Sequence, residues 1–416
     1  MFRERRTTLG LTMRDVAGSS LSPTAVNNIE KGKINPTIET VLYLCQVLNL
    51  QPEKVLLFHP DYTKTAALLF TRIDDLVDRG EIDEAITLLY DMYWVASDLP
   101  DYELPTAEIQ YKISQVFAKN GRLDSAMTAM THAYKLFILT KNYERQVDAV
   151  CSLAALAKVK QQLQRAIGTY TTTLELAYRH KLFDRVGRIL LEMAYLFMEC
   201  VEQQETISHC AQAEREFRRI RDADGLAEAQ LLRAQALCEL GRLQEALEAI
   251  EAAYHHFIAT GDLPRQAEAA RLLGEIHSGL HAYESAAEHY CQALCLAGSA
   301  APDTLHQVLG GLASLALLQQ KTEVARNHAQ RALSRLQKPK DRSKLYRILA
   351  GCDLQAGDIE EYKANMYRAV DALLEAGDPC SAALIQCELA DQTDDFELLR
   401  DGARKLRRVI TSSKRL

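Results

Sequence analysis

Small residues recur along most of the chain with a period of about forty positions. In each period a small anchor residue follows a polar turn, and further columns of mostly small residues stand 12 positions before the anchor and 7 positions after it. Such columns allow paired antiparallel helices to approach closely, while larger neighbours fill the space between them. The pattern therefore predicts a series of helical hairpins. The anchors are Ala85, Ala126, Ala166, Thr206, Ala246, Ala286, Ala325 and Tyr362.

The two flanking columns keep step with these anchors. The earlier column is Ile73, Ser114, Ala154, Ala194, Ala234, Gly274, Ala313 and Ala350, and the later one is Met92, Ala133, Thr173, Ala213, Ala253, Ala293, Ala332 and Ala369. Together the columns resemble the tetratricopeptide repeat, whose usual period is 34 residues. We expect the additional residues to lie in the connectors between units, such as residues 260–264 and 376–379. The resemblance implies a right-handed α-solenoid of about eight to nine hairpins, with a ninth unit near Cys387 to Leu406 and a concave face lined by first helices.

The first sixty residues have a different organisation, with short apolar segments separated by polar turns. Thr12 and Asp15 are spaced to begin one helix, and Ser22 with Pro23 begins another because serine caps helices and proline suits the first helical position. Gly32 ends that second helix. Within it, Val26 and Ile29 face inward, and the residues expected to face outward are Thr24, Ala25, Asn27 and Asn28.

Residues 22–36 resemble the repressor-like helix-turn-helix family of phage and bacterial regulators, on the pattern Ile29-Glu30-x-Gly32-x-x-x-Pro36. The resemblance implies a structural ion pair between Arg6 and Glu30, and a second helix that enters the major groove of DNA. Asparagine can pair with adenine, and lysine or arginine contacts phosphate. The predicted DNA-binding residues are Arg14, Ser22, Thr24, Ala25, Asn27, Asn28, Lys31 and Lys33.

Charge is unevenly distributed along the chain. The formal net charge is −7, but residues 1–60 carry seven Lys/Arg and five Asp/Glu, so their charge is +2 and that of the remainder is −9. A mildly basic module on an acidic body fits one end that faces DNA. No membrane span or signal peptide is apparent, and the scattered cysteines suit a reducing compartment, so we expect a cytoplasmic protein.

The sequence contains no motif that predicts catalysis or a cofactor. A phosphate-binding glycine loop and a nucleophile elbow are both missing. The nearest approach to a metal site is His277, His281 and His289 with Cys291 and Cys295, but closed zinc sites usually have tighter ligand spacing. We therefore interpret these residues as surface histidines and buried thiols, and we predict that the protein is not an enzyme and holds no metal.

The repeat register also predicts a ligand groove. Positions 7, 8, 11, 15 and 18 before each anchor should line the concave side of the first helices. Glutamine pairs with a peptide backbone, tyrosine offers a flat amphipathic surface, and arginine binds carboxylates. A solvated polar face is the alternative interpretation. The predicted peptide-binding residues are Tyr111, Gln115, Lys119, Asp148, Lys158, Arg188, Tyr195, Glu228, Gln235, Arg271, Glu275 and Gln307, with Lys344 and Arg347 further along the same columns.

The combination of a repressor-like helix-turn-helix with tetratricopeptide repeats resembles the peptide-pheromone receptors of Gram-positive bacteria known as the RRNPP group. That resemblance implies a homodimeric transcriptional regulator that binds double-stranded operator DNA and a short signalling peptide. Two alternatives remain open: the repeats dock a protein partner such as a response regulator, or they only dimerise the regulator. The expected domains are a DNA-binding head at 1–60, a linker at 61–64, and a repeat domain at 65–416.

Overall fold

The computed structural model describes residues 1–299, 302–336, 339–393, 400 and 402–405. The described residues form α-helices and turns, with no strand among them, so the predicted all-α class is confirmed. None of the helices in these ranges is both long and apolar enough to cross a membrane. The chain divides into two compact units, Met1–Ile189 and Leu190–Leu416.

The head consists of five short helices whose ends follow the local sequence. The Thr12 side chain and Asp15 form a reciprocal capping box, and the Ser22 and Thr37 side chains each accept a backbone N–H at the start of a helix. These caps satisfy amides that have no partner within their helix. The helices are α1 Phe2–Thr8, α2 Met13–Ala17, α3 Pro23–Glu30, α4 Ile38–Leu48 and α5 Pro52–Leu56.

The head shares its hydrophobic core with the first repeat hairpin. Val55 and Leu56 of α5 belong to the same buried cluster as Tyr62 and Leu69 of the next helix. That helix begins at Tyr62, so residues 62–64 of the predicted linker are helical. The His59 imidazole also bridges the junction, because Nε2 lies 2.9 Å from the Pro36 carbonyl oxygen and Nδ1 accepts the Asp61 N–H at 3.1 Å. The domain boundaries at 60 and 64 stay predictions.

Consecutive antiparallel hairpins make up the rest of the described chain. Each predicted anchor lies in the second helix of a hairpin, and each residue 12 positions earlier lies in the first. All 24 column residues are buried, which confirms the repeat register. In the first unit the helices are α6 Tyr62–Asp78, α7 Ile82–Ser97, α8 Glu103–Lys119, α9 Leu123–Leu139, α10 Tyr143–Val159 and α11 Leu163–Arg179.

Helix α12, Phe183–Glu199, contains both Ile189, the last residue of the first unit, and Leu190, the first residue of the second. The second unit continues with α13 Gln203–Ile220, α14 Ala223–Glu239, α15 Leu243–Thr260, α16 Leu263–Gly279, α17 Tyr283–Ser299, α18 Pro302–Leu318, α19 Thr322–Leu333, α20 Pro339–Ala356, α21 Ile359–Glu375 and α22 Pro379–Thr393. A ninth unit thus begins with α22, whereas Leu406, the expected end of that unit, lies outside the described residues.

The period of forty arises from long helices and not from long connectors. Residues 261–262 alone separate α15 from α16, and three residues separate α9 from α10. The prediction that the additional residues lie in the connectors is therefore wrong. Extra helical turns bury more surface between neighbouring hairpins, whereas longer loops would bury none. Within each hairpin the turn residue five positions before the anchor has positive φ, and the eight residues are Gly80, Gly121, Gln161, Val201, Gly241, His281, Gln320 and Gly357.

Candidate nucleic-acid interface and ligand cavity

A buried ion pair fixes the position of α3 in the head. The Arg6 guanidinium donates two hydrogen bonds to Glu30, at 2.6 Å from Nε to Oε1 and 2.9 Å from Nη2 to Oε2. A third bond joins Arg6 Nη1 to the Leu11 carbonyl oxygen at 3.0 Å. Glu30 is the last residue of α3, so this pair ties the helix to α1 and to the turn before α2. The contact has the geometry that the sequence resemblance implied.

Helix α3 presents its predicted base-reading residues on the side away from the core. Val26 is buried against α2 and α4, whereas Thr24 is exposed and Asn27 and Asn28 are partly exposed. Ser22 is exposed as well, but its hydroxyl oxygen accepts the Ala25 N–H at 3.0 Å as the helix cap. Among the described contacts neither asparagine side chain has a hydrogen-bond partner within the head, and both amides are accessible to a ligand.

The cations assigned to phosphate contacts lie around this helix. Arg14, Lys31 and Lys33 are exposed, and none of them forms an ion pair among the described residues. Arg5, in contrast, is used internally, because its Nε donates to the Leu48 carbonyl oxygen at 3.1 Å near the end of α4. Arginine at a helix C-terminus satisfies carbonyl groups that lack a helical partner. Arg14, Lys31 and Lys33 are therefore left accessible to a ligand, whereas Arg5 is not.

In the first unit, two predicted groove residues, Tyr111 and Asp148, contact charged side chains of neighbouring helices. The Arg145 guanidinium lies 4.4 Å from the centre of the Tyr111 ring and forms an ion pair with Glu108. Asp148 lies between Arg145 and Arg185, at 3.5 and 3.4 Å. This network joins the first helices α8, α10 and α12 within the unit. Tyr111 and Asp148 therefore have structural partners, which reduces what they can offer a ligand.

The remaining predicted residues of the first unit are dispersed. Gln115 and Arg188 are exposed, Lys158 is partly exposed, and Lys119 is 3.6 Å from Asp78. None of them lines the cavity of about 980 Å³ in the second unit. In the second unit, Tyr195 and Glu228 are hydrogen-bonded to each other at 3.0 Å and are likewise outside that cavity. Burial, reinforced by the Glu228 carboxylate, raises the pKa of Tyr195, so this phenol stays neutral.

The second unit encloses a cavity of about 980 Å³ between its first helices. Residues of α14, α16, α18 and α20 line it, and residues of α21 and α22 close one end. Glycines on α18 bring its backbone close to the lining, since a Cβ on Gly311 would lie 2.4 Å from the Tyr290 ring. The volume is at the upper end of the roughly 300–1,000 Å³ typical of ligand pockets. The cavity is thus large enough for a short peptide.

Four predicted groove residues come together at this cavity: Gln235, Arg271, Glu275 and Gln307. Lys344 and Arg347, which the same columns indicated, also line it. Arg271 Nη1 is bound to Glu275 at 2.8 Å, while its buried Nε has no hydrogen-bond partner in the described part of the chain.

The sequence analysis did not name several other lining residues. Glu239 and Glu268 stand 7 and 18 positions before their anchors, in columns that the register had already marked. Lys340 lies one helical turn before Lys344, so a further column would have found it. The apolar lining residues Leu318, Leu354 and Met366 carry no distinctive sequence signal, because leucine and methionine are equally common in a helical core.

The histidines and cysteines considered for a metal site are only partly clustered. The His277 and His289 rings are stacked with their centres 5.2 Å apart. Cys291 and Cys295 are exposed, so the interpretation of these two residues as buried thiols is wrong. Within the described ranges, no three His, Cys, Asp or Glu side chains form a group suited to a metal ion.

One family model matches the head, and several solved structures resemble most of the chain. Residues 2–55 match the helix-turn-helix family model, while a search of curated protein sequences found no significant match. The fold resembles the apo form of RapI (TM-score 0.59, 13% identity, covering 84% of this chain and 98% of that one). It also resembles the apo form of the quorum sensor NprR from B. thuringiensis (0.57, 15%, 84% and 99%) and a Rap protein complexed with competence and sporulation factor (0.54, 14%, 84% and 98%).

These comparisons confirm the predicted architecture. The chain joins a helix-turn-helix domain to tetratricopeptide-like repeats, and its repeat fold is the one seen in RapI and NprR.

Proposed function

We propose that this chain, which joins a helix-turn-helix domain to tetratricopeptide-like repeats, is a DNA-binding transcriptional regulator controlled by a short peptide. The peptide binds in the cavity of the second unit. One observation carries this proposal. Four of the residues that the repeat register predicted for a peptide groove line the same cavity of about 980 Å³. The likeness to a Rap protein complexed with competence and sporulation factor, and to the quorum sensor NprR, supports the same function.

The DNA-binding part of the proposal rests on the exposed side of α3. Asn27 and Thr24 read base edges, with Asn28, Ser22 and Ala25 beside them, while Arg14, Lys31 and Lys33 contact phosphates. A head of this size buries too little surface for tight binding alone, so two heads of a homodimer bind half-sites about one or more helical turns apart. Sedimentation of the full chain at micromolar concentration tests the dimer, and a monomer there would contradict it.

Two substitutions separate base reading from phosphate contact. The operator is first selected from random duplexes with the full chain. Asn27→Ala should cost about 1–3 kcal/mol on that operator and little on random DNA, because only a base contact carries sequence information. Lys33→Ala should weaken binding to both and reduce the salt dependence. Lys135→Ala, an exposed lysine on α9, is the matched control and should change neither.

If Asn27→Ala weakens binding to both DNAs equally, α3 does not read bases in the proposed way.

Peptide control is tested by filling the cavity. Gln307 and Ser314 both line it from α18 and are exposed. The double variant Gln307→Trp with Ser314→Trp should lose binding of peptides that the parent protein retains from a synthetic hexapeptide library. Its DNA binding without peptide should be unchanged, because the head lies in the other unit. If the variant retains the same peptides as its parent, they bind elsewhere, and a protein-docking role for the repeats becomes the better account.

A further inference from the structure

The charged residues around the cavity are mostly neutralised by one another. Arg271 pairs with Glu275 at 2.8 Å and Arg347 with Glu388 at 2.9 Å. Asp341 lies 3.8 Å from the His306 imidazole. These acids and bases therefore contribute little net charge to a ligand, and the charges that matter are those left without an opposite partner.

Four lining residues form no ion pair. Lys340 and Lys344 have no carboxylate within ion-pair distance among the described residues, although Lys340 acts electrostatically on the Asp378 carboxylate, and Glu268 has no cation within that distance. The fourth, Glu239, accepts a hydrogen bond from the Gln203 amide at 3.1 Å but has no cationic partner in the described chain. An exposed carboxylate or ammonium of this kind can bind an opposite charge without first breaking an existing pair.

The unpaired charges are segregated by sign. Both lysines lie on α20 at positions i and i+4, so they share one face of that helix. The two glutamates lie on α14 and α16, on the other side of α18.

We propose that the cavity recognises both ends of a linear, unmodified peptide: Lys340 and Lys344 bind its terminal carboxylate, and Glu239 and Glu268 bind its terminal amine. This inference rests on the proposed peptide function and specifies the direction of the chain in the cavity. A peptide with free ends carries one negative and one positive charge, which match the two walls. Between them Gln235 and Gln307 face the peptide backbone, and Leu318 and Leu354 face its apolar side chains.

The test uses the full chain and four versions of one synthetic hexapeptide library: free termini, amidated carboxyl end, acetylated amino end, and both modifications. Affinity selection followed by mass spectrometry identifies retained peptides, whose affinities are then measured individually. For the parent protein, we expect amidation and acetylation each to weaken binding about tenfold or more, because each removes a charge-assisted hydrogen bond. Thermal unfolding of every variant establishes that it is folded.

Variants assign each end of the peptide to a wall. In Lys340→Met with Lys344→Met, binding of the free peptide should fall about tenfold and amidation should have no further effect, whereas acetylation should still weaken binding. In Glu239→Gln with Glu268→Gln, the pattern should be reversed. Lys135→Met, remote from the cavity, should behave as the parent.

Three results would overturn the inference, and they are distinguishable. Peptides retained equally with free and blocked ends would contradict end recognition while leaving peptide binding intact. A reversed response of the two double variants would contradict the assignment of the peptide ends to these lysines and glutamates. No retention from any of the four libraries would contradict the peptide-receptor function itself, and the inference with it.

Discussion

Removing the arginine of the buried pair in the head should loosen α3, the helix proposed to read DNA. Only 11% of the Arg6 side chain and 3% of the Glu30 side chain are exposed. Arg6→Met removes three hydrogen bonds and leaves the Glu30 carboxylate buried without a cation. Breaking one partner of a buried ion pair costs about 3–5 kcal/mol, and the lower end applies here because the pair lies near the protein surface.

Hydrogen exchange measures this cost locally, which matters because a chain of two units need not unfold in one step. A loss of about 3 kcal/mol corresponds to amide exchange in α1 and α3 that is roughly a hundredfold faster. Exchange in α20 and α21, in the other unit, should be unchanged. Lys64→Met is the control, because its pair with Asp61 is largely exposed and should contribute little.

The double variant Arg6→Met with Glu30→Met distinguishes loss of the pair from loss of packing. With both charges removed, no unpaired carboxylate remains, so exchange should be slower than in Arg6→Met alone. If Arg6→Met accelerates exchange in α1 and α3 less than tenfold, or if the double variant is the less protected of the two, the pair does not hold the head in the way described.

Three further outcomes are expected. The pKa of His289 lies below its ordinary value of 6.5, because burial and the neighbouring His277 disfavour its protonated form. The contribution of neutral His289 to stability is therefore present above about pH 6.5 and is lost as the pH falls through the lowered pKa. His289→Gln should reduce the change in the thermal midpoint between about pH 7.5 and pH 5.5. Val201 has φ 62°, a conformation that is strained for a β-branched residue. Val201→Gly should raise the free energy of unfolding in urea titrations by about 0.5–1 kcal/mol, because it relieves about 1–2 kcal/mol of strain, which exceeds the cost of the added unfolded-state entropy. Arg326→Leu leaves Asp353, 1% exposed, without its cation, and calorimetry should show a loss of about 3 kcal/mol; an unchanged midpoint would contradict this assignment.

The sequence alone determined the elements and their register, because these depend on local chemistry. Thr12, Ser22 and Thr37 cap helices wherever an unpaired amide lies within reach of their side chains. The columns of small residues need only a fixed helical periodicity to face one another, and all of them are buried. The Arg6–Glu30 pair was inferred from a family pattern in which both positions are set by the same local fold.

Only the tertiary structure decided which polar residues are available to a ligand. Asp148 and Gln235 stand 18 and 11 positions before their anchors in one register, yet Asp148 lies between two arginines and Gln235 lines an open cavity. The position of a residue in the repeat register gives the side of the helix on which that residue lies. It does not give the charges that neighbouring helices place beside that residue. The position of Lys344 opposite α14 depends on the packing of four successive first helices, and so does the existence of the cavity. Such long-range interactions depend on how successive hairpins are packed together, and no single repeat determines that arrangement.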